Sequence, residues 1–92
     1  MTLHVLQTPS RINDCLSALG TDDNLLLIDR AVLLAQGQRD PFSHCGQQVF
    51  CLEADMVHLG LTPADLVGNL QVVDFDGWVA LTEVHSTQMV WR

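Results

Sequence analysis

Three cysteines are the side chains of this sequence that could carry sulfur chemistry, and each has a different setting. Cys15 lies on the apolar face of a predicted first helix, in its second turn, and is either a small buried side chain or a thiol that carries sulfur. Carrying sulfur requires exposure and a stabilised thiolate, which the neighbouring Asp14 opposes. Cys45 follows His44 in a loop-like stretch; the histidine either raises its reactivity or is an ordinary loop residue. Cys51 lies in a predicted strand and is expected in the core.

The other polar side chains form no catalytic or metal-binding pattern. Cys45 and Cys51 are not spaced as a Cys-X-X-Cys pair, and together with His44 they match no zinc-ligand arrangement. The serines match no hydrolase motif, and the remaining histidines are far apart in the chain. We therefore predict neither a metal nor a cofactor, and whether the protein is an enzyme stays open at this point.

Two aspartates, Asp29 and Asp74, directly follow predicted strands. If those strands are neighbours, the two carboxylates could form a pair; the alternative is that each caps the helix that follows it. Ligand sites in parallel sheets lie beyond the C-terminal ends of the strands, which here are near Gln7, Asp29, Glu53 and Asp74.

The composition argues against direct binding of nucleic acid. The formal net charge is −7, from 11 acidic and 4 basic side chains, and there is no lysine. Binding a phosphate backbone needs clustered Lys and Arg side chains. In addition, the turn Gln7-Thr-Pro-Ser10 lacks the glycine-rich phosphate loop, which excludes the nucleotide-binding fingerprints of Rossmann and P-loop enzymes.

Hydrophobic periodicity predicts strands and helices that alternate along the chain. An uncharged, alternating tail predicts either a last strand or a plug that docks on a partner. Ser10 is the expected N-cap of the first helix and Gly20 its expected C-terminal cap. The predicted strands cover residues 3–6, 25–28, 48–52, 70–73 and 87–91, and the predicted helices cover residues 11–19, 31–36, 53–59 and 76–84, with a helical turn over 62–69.

This alternation predicts an α/β fold: a three-layer α/β/α sandwich with a mainly parallel four- or five-stranded sheet and right-handed crossovers. Residues 1–92 are expected to form a single domain. The sequence begins without a secretory leader, its apolar runs are too short to cross a bilayer, and three irregularly spaced cysteines form no disulfide framework. These features predict a cytoplasmic protein that does not contact a membrane.

Several segments of the chain resemble the TusB/DsrH family of sulfur-relay proteins, within the DsrE-like superfamily. The most specific is the terminal block His85-Ser-Thr-Gln-Met-Val-Trp91, which is close to the family's His-x-x-Gln-Met-x-Trp. The resemblance covers nearly the whole chain. Its other segments are Leu3-His4 followed by Thr8-Pro9, Leu25-Leu-Leu-Ile28-Asp29, Glu53-Ala-Asp-Met56 with Gly60-Leu-Thr62, and Val73-Asp-Phe75 with Val79-Ala-Leu-Thr82.

The resemblance implies a DsrE-like fold in a heterohexamer, with TusC-like and TusD-like subunits as partners. In the TusBCD form, persulfide sulfur arrives from TusA and leaves through TusE toward the 2-thio group of the wobble uridine in tRNA; the DsrEFH form serves sulfur oxidation. The main sulfur-accepting cysteine belongs to the TusD/DsrE-type subunit. Some members have a first-helix cysteine at the position of Cys15, which makes Cys15 the candidate persulfide carrier of this chain.

One departure from the family pattern lies after the second strand, where members usually carry Asp-Gly and this chain has Arg30-Ala31. Glycine permits backbone angles that alanine avoids, so a different local turn is expected. Three hypotheses follow: an accessory subunit of a TusBCD-like complex, a DsrH-like subunit with Cys15 as sulfur carrier, and a stand-alone ligand-binding α/β domain.

Overall fold

Five parallel strands form the central sheet of the computed structural model, which describes residues 2–35, 42, 49–66 and 70–92. Strand and helix alternate along the chain, so the predicted three-layer α/β/α class is confirmed. The strands are β1 (Thr2–Leu6), β2 (Asn24–Leu27), β3 (Val49–Leu52), β4 (Gln71–Val73) and β5 (Thr87–Trp91), in the spatial order β4-β3-β2-β1-β5. The helices are α1 (Ile12–Ala18), α2 (Glu53–His58) and α3 (Phe75–Val84), with 3₁₀ helices over Pro9–Arg11, Asp29–Ala35 and Pro63–Asp65.

The two faces of the sheet have separate apolar clusters because successive side chains of a strand point to opposite sides. In β2, Leu25 and Leu27 belong to one cluster and Leu26 to the other, and all three are fully buried. The first cluster includes side chains from α1, α2 and the 3₁₀ helix over Asp29–Ala35, and we call this side the α1 face. The second cluster packs against Trp78 of α3, and we call this side the α3 face.

β1 lies between β2 and β5, and this position brings three strand ends to the same edge of the sheet. Leu6 of β1 is in register with Leu27 on one side and with Trp91 on the other. Backbone bonds extend both ladders: the Ile28 N–H donates to the Leu6 carbonyl over 3.0 Å, and the Gln7 N–H donates to the Trp91 carbonyl over 2.9 Å. The tail of the chain is therefore a strand of the sheet.

Both predicted caps of the first helix are wrong. Ser10 lies inside the 3₁₀ helix that begins at Pro9, because proline favours the first turn of a helix and carries Ser10 into it. α1 follows directly, with Arg11 before it and no side-chain cap. At the other end, Leu19 has an extended backbone, and the Gly20 N–H donates to Asp23 over 2.9 Å. The turn is thus held by a carboxylate and requires no left-handed glycine.

Two other helix ends follow the sequence pattern more closely. α2 ends before Gly60, whose φ of 77° is the left-handed conformation that glycine adopts without strain. The 3₁₀ helix over Pro63–Asp65 begins at proline, and the Asp65 N–H donates to the Thr62 carbonyl over 2.9 Å. The N–H and hydroxyl of Thr62 donate in return to the Asp65 carboxylate, which lowers the pKa of Asp65.

The segment after β2 differs from its prediction. It is a 3₁₀ helix over Asp29–Ala35 that begins two residues earlier than the predicted α-helix; Gln36 and Gly37, where the predicted helix ends, lie outside the described residues. Among described non-glycine residues, the positive φ of 52° belongs to Asp29. Ala31 therefore does not occupy a backbone conformation that requires glycine.

Of the two alternatives for Asp29 and Asp74, the carboxylate pair does not form. β3 lies between β2 and β4, so the two strand ends are about 10 Å apart at the usual strand spacing. Asp74 is the N-cap of α3 and accepts from the Gly77 N–H over 2.8 Å. Asp29 uses its backbone N–H to bind the Asp55 carboxylate over 2.7 Å.

Candidate functional site

The two described cysteines are both core residues. Cys15 in α1 and Cys51 in β3 are fully buried, and both belong to the cluster on the α1 face. Burial raises the pKa of the Cys51 thiol to about 12, so that thiol stays protonated at neutral pH. Cys45 and His44 lie outside the described residues. The structure therefore places the candidate carrier Cys15 beneath the surface of the isolated chain.

A buried histidine joins the first strand to the last. His4 of β1 is 1% exposed, and the indole N–H of Trp91 donates to its Nδ1 over 3.1 Å. Its Nε2 lies 3.0 Å from Oδ2 of Asp23. Because an indole N–H can only donate, Nδ1 is the acceptor, and the proton on the ring belongs to Nε2, which donates to the carboxylate. His4 thus bridges the Trp91 donor and the Asp23 acceptor.

Asp23 accepts hydrogen bonds from three donors, two in β1 and one in the turn before β2. Besides His4, the Thr2 N–H donates to its Oδ1 over 2.8 Å and the Gly20 N–H donates to its Oδ2 over 2.9 Å. The pKa of Asp23 is lowered from 3.8 to about 2, mainly by the Gly20 N–H and then by the His4 side chain. The ionised carboxylate connects the turn before β2 to the start of β1 and, through His4, to β5.

The last strand is held at its end by further contacts. The Arg11 guanidinium lies over the Trp91 ring, 5.3 Å from its centroid, and its Nη1 donates to the Arg92 carbonyl over 3.4 Å. The rings of His4 and Trp91 are stacked, with 6.2 Å between centroids. These contacts order the end of the chain, where a free terminus would otherwise fray.

His85, at the start of the terminal block, is buried at the end of the sheet where the strands begin, opposite the end at which Trp91 lies. It is 3% exposed, and its Nε2 lies 2.6 Å from Oδ1 of Asn24, the residue that begins β2. Its Nδ1 has no hydrogen-bond partner among the described residues. The residue therefore fixes the end of α3 against β2.

A crevice opens where the strand ends predicted a ligand site. Its volume is about 530 Å³, and Gln7 and Asp29 line it together with Ser10 and Arg30. Of the four predicted strand ends, Glu53 and Asp74 do not line it. The described residues contain no group of three or more His, Cys, Asp or Glu side chains placed to hold a metal ion.

Several apolar side chains are exposed on the face formed by α3 and β5. A groove of about 300 Å³ runs along it; we call the groove and its surroundings the α3–β5 face. Phe75 and Val79 on α3 are 59% and 54% exposed, and Val90 on β5 is 51% exposed. Val90 shares this side with Gln88 because β5 alternates in register with β1. The groove is lined by Phe75, Trp78, Val79, Thr82 and Gln88.

Comparison with known proteins identifies the family. The model of the family described as "DsrH like protein" matches residues 7–88. The chain belongs to this DsrH-like family. Two relatives called "Protein TusB", from Shigella flexneri and a strain of Escherichia coli, are each 30% identical over 95 residues, covering 97% of this chain and 99% of each relative. The suspected TusB/DsrH resemblance is confirmed, and it supports a role in sulfur relay.

In this DsrH-like chain, the terminal block is structural at both ends. His85 binds Asn24, and Trp91 binds His4, while the strand between them, β5, pairs with β1. Over the described ranges, none of the helices combines the length and the apolar character needed to span a bilayer.

Two features of the site were not predicted from the sequence. The bridge from Asp23 through His4 to Trp91 was not predicted, because Asp23 is 19 positions and Trp91 is 87 positions from His4 in the chain. A signal for it was present: His4 stands between apolar residues in a strand, where a polar ring requires buried partners. The exposure of the α3–β5 face was not predicted, because the spacing of Phe75, Val79 and Thr82 is also the pattern of a helix face that packs in a core.

Proposed function

We propose that this chain is an accessory subunit of a TusBCD-like sulfur-relay complex, which passes persulfide sulfur toward 2-thiouridine at the wobble position of tRNA. The observation that carries the proposal is the end-to-end similarity to two proteins named TusB. TusC-like and TusD-like subunits are the partners within the complex. TusA-like and TusE-like carriers bring and remove the sulfur, and the setting is the cytoplasm.

The accessory role is supported by the burial of the two thiols that the structure describes. Persulfide transfer begins when a thiolate attacks the terminal sulfur of a donor, and this requires contact between the two proteins. Cys15 and Cys51 are both 0% exposed, and the pKa of Cys51 is raised to about 12. The net charge of −7 also disfavours direct contact with tRNA. Sulfur therefore moves through the partners, while this subunit supports the assembly.

Co-expression and genetic replacement test the proposal together. The tagged chain is expressed with the TusC-like and TusD-like proteins of its own genome, and the recovered complex is weighed by native mass spectrometry. In parallel, all three are introduced into a strain that lacks its own tusBCD genes, and 2-thiouridine is measured in digested tRNA. Recovery of a complex and of the nucleoside is the expected result; omission of this chain provides the control. A lone monomer and no gain in 2-thiouridine would refute the proposal.

The DsrH description of the family favours a second candidate, a subunit of a DsrEFH-like complex in sulfur oxidation with Cys15 as a carrier. In that reaction the Cys15 thiolate attacks the outer sulfur of a donor persulfide. A new sulfur–sulfur bond forms on Cys15, and the donor leaves as its thiolate, with no net oxidation. Because Cys15 is fully buried in the isolated chain, α1 has to move for this step to occur.

Persulfide trapping separates the two candidates. The assembled complex is incubated with a persulfide donor, alkylated and digested, and the peptides are analysed by mass spectrometry. Sulfur on the Cys15 peptide, lost in the Cys15→Ser variant, supports the carrier role. Sulfur on Cys45 alone excludes Cys15 as the carrier, and sulfur on no cysteine of this chain excludes it and leaves the accessory role.

The crevice of about 530 Å³ at the ends of β1 and β2 favours a third candidate, a stand-alone ligand-binding domain. This candidate requires a monomer that retains a small molecule. Native mass spectrometry of the purified chain tests it, since a bound molecule adds a defined mass. A bare chain that assembles with the two other subunits would exclude it.

A further inference from the structure

The two sides of the sheet are unequally covered. Three described elements pack on the α1 face, namely α1, α2 and the 3₁₀ helix over Asp29–Ala35. On the α3 face, the described packing comes from the ten-residue α3. A helix is about 10 Å wide, whereas a sheet of this many strands is roughly 19 Å wide between its edge strands. Within the described residues, one helix therefore leaves space for another beside it.

The groove of the α3–β5 face lies in that space and is apolar in character. Phe75 and Val79 are one helical turn apart on α3 and are both more than half exposed. Trp78 between them stacks on Phe75, with 6.4 Å between ring centroids. The side of β5 that borders the groove adds Val90, which is 51% exposed. Exposed apolar side chains grouped in this way mark an interaction surface.

The outer edge of β5 adds a second reason for a partner at this place. β5 is the edge strand of the described sheet and pairs with β1 on one side. Its five residues, Thr87–Trp91, include no proline and no ionisable side chain. Proteins usually protect such an edge by charge, by proline or by covering it with another element. β5 has neither a charged side chain nor a proline, so the remaining protection of these three is another element that covers the edge.

The charge of the chain decides which kind of partner fits. Asp76 and Glu83 are exposed on α3, and α3 carries no basic side chain. A second copy of the chain would bring the same acidic helix and another formal charge of −7, so that two copies repel each other. A partner with Lys or Arg side chains around an apolar stripe would complement both the groove and its acidic flank.

The geometry points to the α3–β5 face as the surface on which a different subunit of the complex lays an amphipathic helix with basic flanks. This inference rests on the proposed function, since it takes the partner from the same assembly. The helix fills the groove beside α3 and covers the edge of β5, completing the helical layer of the α3 face. The surface is thus specific for a heterologous partner.

Val79→Glu and Val57→Glu form a matched pair of variants that tests this surface. Val57 on α2 is 70% exposed, and α2 packs on the α1 face, so the control makes the same change on the other side of the sheet. We expect Val79→Glu to weaken the complex by about tenfold or more, as burial of a central apolar side chain predicts. Val57→Glu is expected to assemble as the unchanged protein does. Circular dichroism and thermal unfolding establish that both variants fold.

The outcomes separate this inference from the proposed function. If the unchanged chain assembles and both variants assemble equally well, the α3–β5 face is not the interface, and the proposed function stands. If the unchanged chain does not assemble with the TusC-like and TusD-like subunits, the proposed function fails and the inference falls with it. If the chain forms a homodimer that Val79→Glu disrupts, the occupant is a second copy, and the inference of a basic partner is overturned.

Two further measurements do not depend on the stability of Val79→Glu. Benzoylphenylalanine placed at position 75 should crosslink to a partner subunit on irradiation, whereas the same group at position 57 should not. The double variant Asp76→Lys/Glu83→Lys should weaken assembly about tenfold or more, whereas Asp22→Lys, in the exposed turn before β2, should leave it unchanged. Crosslinking at 57 alone, or insensitivity to the double reversal, would contradict the inference.

Discussion

The indole N–H of Trp91 donates to Nδ1 of His4 over 3.1 Å, and the two residues are 87 positions apart. The bond connects the last strand, β5, at the edge of the sheet to its neighbour, the first strand. Since the other ring nitrogen of His4 binds Asp23, the three side chains form one continuous bridge.

Trp91→Phe should destabilise the fold by about 1–3 kcal/mol, because it removes the indole donor and leaves Nδ1 of the buried His4 without a partner. Urea unfolding followed by circular dichroism gives the free energy of unfolding. Trp78→Phe is the control: Trp78 stacks on Phe75 and leaves the bridge intact. Equal losses in the two variants would contradict a specific role of the hydrogen bond.

Asp23 should make the stability depend on pH at the acidic end. The pKa of Asp23 in the folded chain is about 2, below its ordinary value of 3.8, so the folded state favours the ionised form. The stabilisation is fully present above about pH 4 and is lost as the pH falls through about 2. Urea unfolding between pH 5 and 2 should show this decline, and Asp23→Asn should flatten it.

Asp22→Asn provides a control for the acid measurement, since Asp22 is the exposed neighbour of Asp23 and carries the same charge. It should leave the slope between pH 4 and 2 nearly as in the unchanged protein. A slope that responds equally to either substitution would mean that general charge repulsion, and not the bridge, sets the acid sensitivity.

Gly60→Ala should lower the free energy of unfolding by about 1–2 kcal/mol, because the residue has a φ of 77° and a side chain is strained there. Apart from its chain neighbours, no described residue places a heavy atom within 4 Å of an added Cβ, so the loss would come from the backbone and not from a clash. Asn tolerates this conformation better, so Gly60→Asn should lose less stability than Gly60→Ala. The reverse order would contradict this account.

Cys15 and Cys51 should resist alkylation in the folded, isolated chain. Both are fully buried, and the pKa of Cys51 is raised to about 12, so the reactive thiolate is scarce at pH 8. Iodoacetamide labelling followed by peptide mass spectrometry measures each cysteine separately. Both should be labelled rapidly in denaturing urea. Rapid labelling of Cys15 without denaturant would show that α1 opens readily.

The local sequence pattern predicted much of the fold, because the secondary structure of these segments depends mainly on the residues within them. Leu25, Leu26 and Leu27 form an uninterrupted apolar run, which is suited to a strand buried on both faces, and all three are fully buried. Thr87–Trp91 is a strand with the predicted bounds. In both cases, the residue types themselves limit the environment that the segment can occupy.

Other local predictions failed because nearby groups competed for the same backbone. Gly20 was expected to be the C-terminal cap of the first helix, but its N–H donates to the Asp23 carboxylate. Ser10 was expected to be an N-cap, but it lies within the 3₁₀ helix that begins at Pro9. Asp29 and Asp74 had suitable positions for a pair, but the strand order separates them. Strand order depends on how distant segments pack, which local periodicity does not contain.

The sequence by itself determined the alternation of strands and helices, the apolar interior and the kinship with DsrH-like proteins. Tertiary structure alone decided that β5 lies beside β1, that Trp91 reaches His4, and that Phe75 and Val79 remain uncovered. The physical reason is the range of the interactions. Periodicity reports which side of one segment avoids water, whereas a hydrogen bond across 87 positions, or an uncovered groove, depends on where every other segment has packed.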